Sequence, residues 1–390
     1  MESIELSVVA AAFLVLCGAL VAARLQIAGE RDKYPPGSRA KLPRVAVIVP
    51  VTGAAPGMRE CLDTIASQDY PDYQVFFVTE SAEDAAVQLV LDTIAAARSG
   101  PTCRHVVSGQ ARTCGQKNHN ILAGIAEAGP DREVFVFCDS SHLAPPDYLE
   151  SLVQPIASGH ASVATGYHHA LPEDMRFATY GRAMSVLLLC ILQEIPPLRQ
   201  PWGGSTAITR KAFEELNVAE VWAVNVVDDV SLAMILKKSA VPVACVPGAM
   251  LSTPVRGETV SGWSDWFTRQ WLYLKFCFRG SWIAAGVALY LTAVLALWEI
   301  TRVVLTIAGY LPFKALLLPL FFLFATAVAS NMATRLHPRP GRKSRWLAAL
   351  YANIFLATWC HLRTLLTEEI RWRGKTYVVG PHGRIVHIRR

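Results

Sequence analysis

Three apolar runs divide this chain before any finer pattern is considered. Residues 6–23 (LSVVAAAFLVLCGALVAA), 281–298 (SWIAAGVALYLTAVLALW) and 315–334 (ALLLPLFFLFATAVASNMAT) carry no charged side chain. Each is about long enough to cross roughly 30 Å of hydrocarbon, so the fold is expected to include transmembrane helices. A cleaved signal peptide is the competing reading of the first run. Signal peptides begin with positive charge, however, and here Glu2 and Glu5 precede the run while Arg24 follows it. Residues 24–44 carry six Lys/Arg, residues 335–345 five, and the tail from Arg363 seven, together about half of the 37 basic residues. Basic clusters beside apolar runs fit the cytoplasmic side of a bilayer, and no basic stripe interleaved with aromatics crosses the middle of the chain. A membrane is therefore an expected partner and nucleic acid is not.

A third stretch near the carboxyl end, 346–362, has Leu347, Leu350, Tyr351, Ile354, Phe355, Trp359 and Leu362 at helical spacing. Crossing there would put the basic tail outside, so an interfacial or re-entrant helix is expected. The resulting organisation is a transmembrane anchor (1–25), a juxtamembrane linker (26–43), a cytoplasmic domain (44–280), two transmembrane helices (281–336), and a basic loop, interfacial helix and basic tail (337–390). The nine cysteines are scattered without CxxC spacing, which suits reduced core residues better than disulfides or zinc.

Between residues 44 and 260 the pattern changes. RVAVIVPV, YQVFFVTE, EVFVFCDS, ASVATGY and VPVACVP read as strands, with APGMRECLDTIASQ, AEDAAVQLVLDTIAAAR and KNHNILAGIAEAG as helices between them. This alternation predicts a doubly wound α/β sheet, which binds ligands at the carboxyl ends of its strands. Neither GxGxxG nor GxxxxGK[ST] occurs, so the two familiar phosphate loops are excluded.

Acids stand where those strands end. Glu80 follows one apolar run, Asp139 another, and Asp228 and Asp229 open an amphipathic stretch. Taken singly each would serve as a helix cap or a solvated turn. On one sheet edge together they point to a cation and a hydroxyl as partners, because a lone buried acid is costly. A divalent metal carrying a nucleotide diphosphate suits Asp139. An acceptor hydroxyl suits Asp229, whose neighbouring acid would lift its pKa towards that of a general base. Lys117 could reach a phosphate or be an ordinary surface lysine, and the Gly203–Gly204 pair could admit a sugar or form a tight turn. The aromatic and basic stretch 265–276 could belong to the site or to an interfacial belt.

In order along the chain, PVTG, QDYPDYQVFFVTE, CGQKNHNIL, FCDSSHLAPPDYL, GGSTAITRKAF, VDDVSLAMIL and WRGKTY resemble the membrane-bound inverting glycosyltransferases of the ceramide glucosyltransferase group, including its hopanoid-associated bacterial members, of the GT-A family 2/21 type. The resemblance implies a GT-A, Rossmann-like domain plus transmembrane helices. It implies transfer of a hexose from a nucleotide sugar, UDP-glucose being the family's commonest, to a membrane lipid such as ceramide, diacylglycerol or a hopanoid. The setting would be a bacterial inner membrane with the catalytic domain in the cytoplasm. By position, Pro50, Glu80, Lys117 and Asp139 would bind the nucleotide sugar, Asp139 would hold Mg2+ or Mn2+, and Asp229 would be the base, with Arg269 and Trp271 completing the catalytic set. Two places depart from the pattern: Ser141 replaces the second acid of Asp-x-Asp, and Phe267 and Gln270 stand in the (Q/R)xxRW positions before Trp271, leaving Arg269 to supply the guanidinium. A processive polysaccharide synthase and a catalytically degenerate nucleotide-sugar binder are the alternatives. A small transporter would have no evident use for so large a domain.

Overall fold

The computed structural model describes residues 18, 20–25, 29, 42–97 and 101–389. The expected anchor and linker therefore lie outside the described residues except for a helical piece at 20–25, whose Leu20 and Ala23 are buried.

The described chain forms strands β1 (Val45–Pro50), β2 (Tyr73–Thr79), β3 (Thr102–Val107), β4 (Val134–Cys138), β5 (Val163–Pro172), β6 (Ser205–Thr209) and β7 (Ala244–Val255) of a seven-stranded sheet. Helices α1 (Met58–Ala66), α2 (Val87–Ala96), α3 (Gln116–Glu127), α4 (Tyr148–Ala157), α5 (Phe177–Gln193), α6 (Arg210–Glu215), α7 (Val218–Trp222) and α8 (Asp229–Lys238) alternate with them. The sheet order is β3-β2-β1-β4-β6-β5-β7. β1 pairs in parallel with both β2 and β4, so successive units wind outward from it in opposite directions and leave a crevice between the carboxyl ends of β1 and β4. This is the expected doubly wound sheet, with one difference: β6 runs antiparallel to both its neighbours.

The central strands form because Val, Ile and Phe suit a pleat covered on both faces. Val45, Val47 and Val49 pack with Met58, Leu62, Leu149 and Leu152 on one face, while Ala46, Ile48, Phe76 and Phe135 meet Ile121, Trp222 and Leu232 on the other. Gly124 allows α3 to sit close on the sheet, since a Cβ there would lie 2.7 Å from Ile48 Cγ2 and 3.1 Å from Val78 Cγ2. That contact fixes the amino end of α3 above the crevice. The described cysteines are free, and all but Cys103 are buried.

Helices α9 (Val260–Cys277), α10 (Arg279–Ile307), α11 (Leu317–Thr334) and α12 (Lys343–Thr364) follow. Thr259 caps α9 by accepting from the Gly262 amide. Two helices among the described residues, Arg279–Ile307 and Phe313–Thr334, are long and apolar enough to cross a membrane. Their outer faces expose Leu291, Val294, Leu297, Val304, Leu320 and Phe324. α12 packs its small and polar face inward: Trp346, Ala349, Asn353, Ala357, Cys360 and Thr364 are buried. Asn353 joins it to α5 by accepting from Ser185 Oγ at 2.6 Å and donating to the Gly181 carbonyl at 3.1 Å. Phe355, Trp359 and Leu362, from the apolar stripe read in the sequence, face outward. The tail is an antiparallel sheet of β8 (Glu369–Trp372), β9 (Lys375–Val379) and β10 (Ile385–Arg389).

Candidate active site

Asp139 is the residue after β4, at the crevice edge. Because β6 runs back along β4 with Ser205 opposite Cys138, the turn before β6 reaches the same edge and brings Gly203 there. α8 opens at Asp229 after Asp228, and α3 carries Lys117 in its first turn. Four segments distant in sequence thus converge.

Lys117 is their hub. Its Nζ lies 2.8 Å from Asp139 Oδ1 and 3.0 Å from Asp228 Oδ2, and donates to the Gly203 carbonyl at 3.1 Å. The Gly203 amide donates to Asp229 Oδ2 at 3.0 Å, and the Val230 amide to Asp229 Oδ1 at 2.7 Å. No side chain fits at 203, since a Cβ would lie 2.4 Å from Asp228 Oδ2 and 2.8 Å from Lys117 Nζ. Glycine here lets the backbone itself join the charge cluster.

The three carboxylates are not equivalent. Burial alone would raise Asp139, but the Lys117 charge holds it well below the usual carboxylate range. Burial opposes the Lys117 charge, yet Asp139, Asp228 and Asp229 outweigh it and keep the ammonium charged. At Asp229, burial first and the neighbouring Asp228 second push the carboxyl up to about 6, with Lys117 offsetting part of the rise. One acid locked as an anion beside another that exchanges its proton near neutrality is the division of labour that acid–base chemistry needs. Asp228, 4% exposed, holds Lys117 and lifts Asp229.

The neighbouring edge holds a second group. Pro50 ends β1 level with Val78 of β2, and beyond it Thr52 Oγ1 and the Gly53 amide donate to Asp84 at 3.0 and 2.8 Å. Glu80, at the tip of β2, is ion-paired with Lys375 of β9, which also donates to Gln116 Oε1 at 3.1 Å. The tail sheet is tied down beside the acids: Val226 N donates to the Gly383 carbonyl at 3.0 Å and Ile385 N to the Val224 carbonyl at 2.9 Å. The sequence reading assigned no part to Asp84, His142 or Lys375. His142 and Lys375 lie within motifs already singled out and Asp84 in an expected helix, whereas a contact between residues 80 and 375 leaves no local pattern.

Of the remaining expected residues, one joins the site side and one does not. Arg269 lies over the Trp372 ring, 5.8 Å from its centroid. The buried phenol of Tyr273, one helical turn on, experiences Arg269 together with Asp229 and Asp228. Trp271 instead stacks on Phe267 at 5.9 Å and meets His361 edge-on at 5.3 Å, inside the bundle with α12. Residues two apart on an α-helix point about 200° apart, so Arg269 and Trp271 leave the helix on different sides. In the structure Trp271 makes packing contacts with these two rings.

Among the described residues no three His, Cys, Asp or Glu side chains cluster as a metal site. A metal here would rest on few protein ligands plus substrate oxygens, as Mg2+ and Mn2+ sites of nucleotide enzymes do. Asp139 Oδ2, the oxygen turned away from Lys117, faces His142 Nε2 across 3.7 Å, and that buried nitrogen has no hydrogen-bond partner among the described residues. An anionic oxygen opposite an unsatisfied nitrogen fits a cation.

Comparison with known proteins adds the family. The glycosyltransferase GlyA of Streptococcus pneumoniae is 26% identical over 143 residues, 34% of this chain, which spans 18% of that relative's length. A mannosyltransferase of Pyrobaculum calidifontis in complex with GDP-Man and Mn2+ aligns over 89% of this chain and 99% of its own, with 19% identity and a TM-score of 0.43. Glucosyl-3-phosphoglycerate synthase of Mycobacterium tuberculosis, in complex with Mn2+, UDP and phosphoglyceric acid, aligns over 62% of this chain and 82% of its own, with 14% identity and a TM-score of 0.40. The model of glycosyl transferase family 21 matches residues 9–385, and the chain therefore belongs to that family of glycosyltransferases.

Proposed function

We propose that this protein transfers a hexose, with inversion, from a nucleotide sugar to the hydroxyl of a membrane lipid. The observation that carries the reading is the convergence of Asp139 and Asp229 on Lys117 and Gly203 at the sheet's switch point. Asp229, ionised, takes the proton of the acceptor hydroxyl as its oxygen bonds to the anomeric carbon. The bond from that carbon to the diphosphate breaks on the opposite side, and the nucleoside diphosphate leaves. Lys117 and Arg269 face the charge that builds on it, where oriented cations are worth several kcal/mol. Asp139 Oδ2 would hold a divalent metal, which when bound supplies further positive charge to the diphosphate.

Membrane attachment supports the lipid acceptor. α11 and α12 pack directly on α5 through Ala329, Ala333, Trp346 and Ala349, and His337 Nε2 lies 3.0 Å from the Ala170 carbonyl of β5. The apolar helices are therefore rigidly joined to the sheet, which would hold the cleft near the headgroups of an inner membrane with the GT-A domain in the cytoplasm. Glucose from UDP-glucose, and ceramide, diacylglycerol or a hopanoid, are the specific pair the resemblance favours. Membranes containing the protein, incubated with a panel of labelled nucleotide sugars, should give an organic-extractable glycolipid identifiable by mass. A polymer would favour a polysaccharide synthase, and no transfer with any donor would leave a binder.

Glu80 and Lys375 form the proposed nucleotide end. Lys375→Met frees the Glu80 carboxylate and the Gln116 amide from their shared partner, and should raise the donor KM about tenfold, ~1.4 kcal/mol of uniform binding, with kcat little changed. An unchanged KM would remove the tail sheet from the donor site.

A further inference from the structure

We propose that His142 is the second protein ligand of a divalent metal shared with Asp139, in place of the acid absent at Ser141. This assignment rests on the glycosyltransferase reading above and deepens it. It starts from a nitrogen that the fold leaves unsatisfied. His142 is 5% exposed, and its Nε2 lacks a hydrogen bond among the described residues although buried polar atoms seldom do without one. The facing atom, Asp139 Oδ2, is 3.7 Å away, too far for a hydrogen bond. Two metal bonds of about 2.1 Å span up to about 4.2 Å, so one ion can reach both atoms at this separation.

The ring is fixed in the orientation such a role needs. Leu143 is bridged to Ser252 of β7 by paired backbone hydrogen bonds of 2.8 and 3.0 Å, so the residue before it cannot swing away from the cleft. His142 Nδ1 lies 2.7 Å from Thr253 Oγ1, and His168 Nδ1 lies 2.6 Å from the same oxygen. A hydroxyl has one proton to give and two lone pairs, so at most one of the two imidazoles accepts from Thr253 and at least one donates to it. With His168 accepting, His142 donates through Nδ1–H and presents a bare Nε2 lone pair to Asp139. An imidazole anchored at one nitrogen and open at the other is the usual arrangement of a ligating histidine. Trp202, 5.0 Å from the His142 ring and stacked on His168 at 4.5 Å, walls the pair in. Lys117 occupies Asp139 Oδ1, which leaves Oδ2 as the oxygen on the histidine side.

One carboxylate oxygen and one imidazole nitrogen favour Mn2+ over Mg2+, because Mg2+ takes oxygen ligands almost alone. The test uses the full-length protein with Mn2+ and inorganic pyrophosphate, which supplies the diphosphate oxygens whatever the true donor is. Pulsed electron paramagnetic resonance should show imidazole 14N modulation on bound Mn2+, replaced by the 15N pattern when the protein carries 15N-histidine. His142→Gln should lose the modulation and weaken Mn2+ binding by about 10- to 100-fold. Bound Mn2+ without nitrogen modulation in the parent protein overturns the assignment, and that readout needs no variant to fold. Absence of bound Mn2+ overturns it as well. Sugar transfer persisting without added metal in that case would leave the proposed function standing, so the two failures are distinguishable.

Discussion

Asp229→Asn should lower sugar transfer by about 10³-fold while leaving the protein folded and the donor bound, as loss of a general base does. Asn keeps the shape of the side chain and one acceptor for the Gly203 or Val230 amide, so the turn that positions it survives. The pH dependence provides a sharper signature. With its carboxyl pushed up to about 6, Asp229 is the working base only above that pH, and kcat/KM of the parent should fall below it with a limb that the variant lacks. Stability should move in the opposite sense. The folded state holds this proton more tightly than the unfolded chain, whose ordinary carboxyl titrates near 3.8. The favourable contribution is therefore complete below about 3.8 and is lost as pH rises through about 6, leaving an ionised, partly desolvated carboxylate at neutrality. A rise of about two units corresponds to at most ~3 kcal/mol, reduced in the variant by the poorer acceptor. Tm of Asp229→Asn relative to the parent should thus improve from pH 4 to pH 7. Transfer above a tenth of the parent rate, or an unchanged acid limb, would remove Asp229 from the base position.

That Asp139, Asp228, Asp229 and Lys117 could be found in the sequence at all follows from how a doubly wound sheet is built. β1, β2 and β4 are covered on both faces, so they appear as unbroken apolar runs, and whatever polar residue ends such a run must stand at the ligand edge. β3 escaped notice because it is an edge strand whose Thr102, Arg104 and Val107 remain exposed. β6 escaped for another reason. Its hydroxyl-rich STAIT sequence is buried at the sheet centre only because each hydroxyl finds a partner in the fold: Tyr148 donates to Ser205, and Thr206 donates to the Trp202 carbonyl. Polar composition hides burial when the partners come from elsewhere. The basic tail hides its role in the same way, since Ile370, Tyr377 and Val379 point into a small core with Val226 and Val227 while Lys375 turns to Glu80. The separation of Arg269 from Trp271 has a different origin. A motif fixes order along the chain but not helix rotation, and shifting the guanidinium from position 270 to 269 turns it by about 100°.

Lys117→Met should have the other large effect, because it removes the cation bonded to two of the three acids. Asp228 is buried and gains nothing from solvent, so its carboxylate would be left without a counter-charge and close to Asp139 and Asp229. Breaking a buried ion pair from one side typically costs about 3–5 kcal/mol, much of it the penalty of the stranded partner. Transfer should fall by more than about 10²-fold as well, but a destabilised protein alone would also lose activity. Adding Asp228→Asn separates the two causes. The doubly substituted protein no longer strands the most buried charge, and most of the lost stability should return in thermal denaturation. Activity should not return, because the leaving diphosphate still lacks the ammonium. The cycle formed by the parent, the two single variants and the double variant should therefore give a large coupling in stability and almost none in transfer. A Lys117→Met protein as stable as the parent would show that the acids do not depend on this lysine. Transfer restored in the double variant would show that Lys117 serves the fold and not the donor.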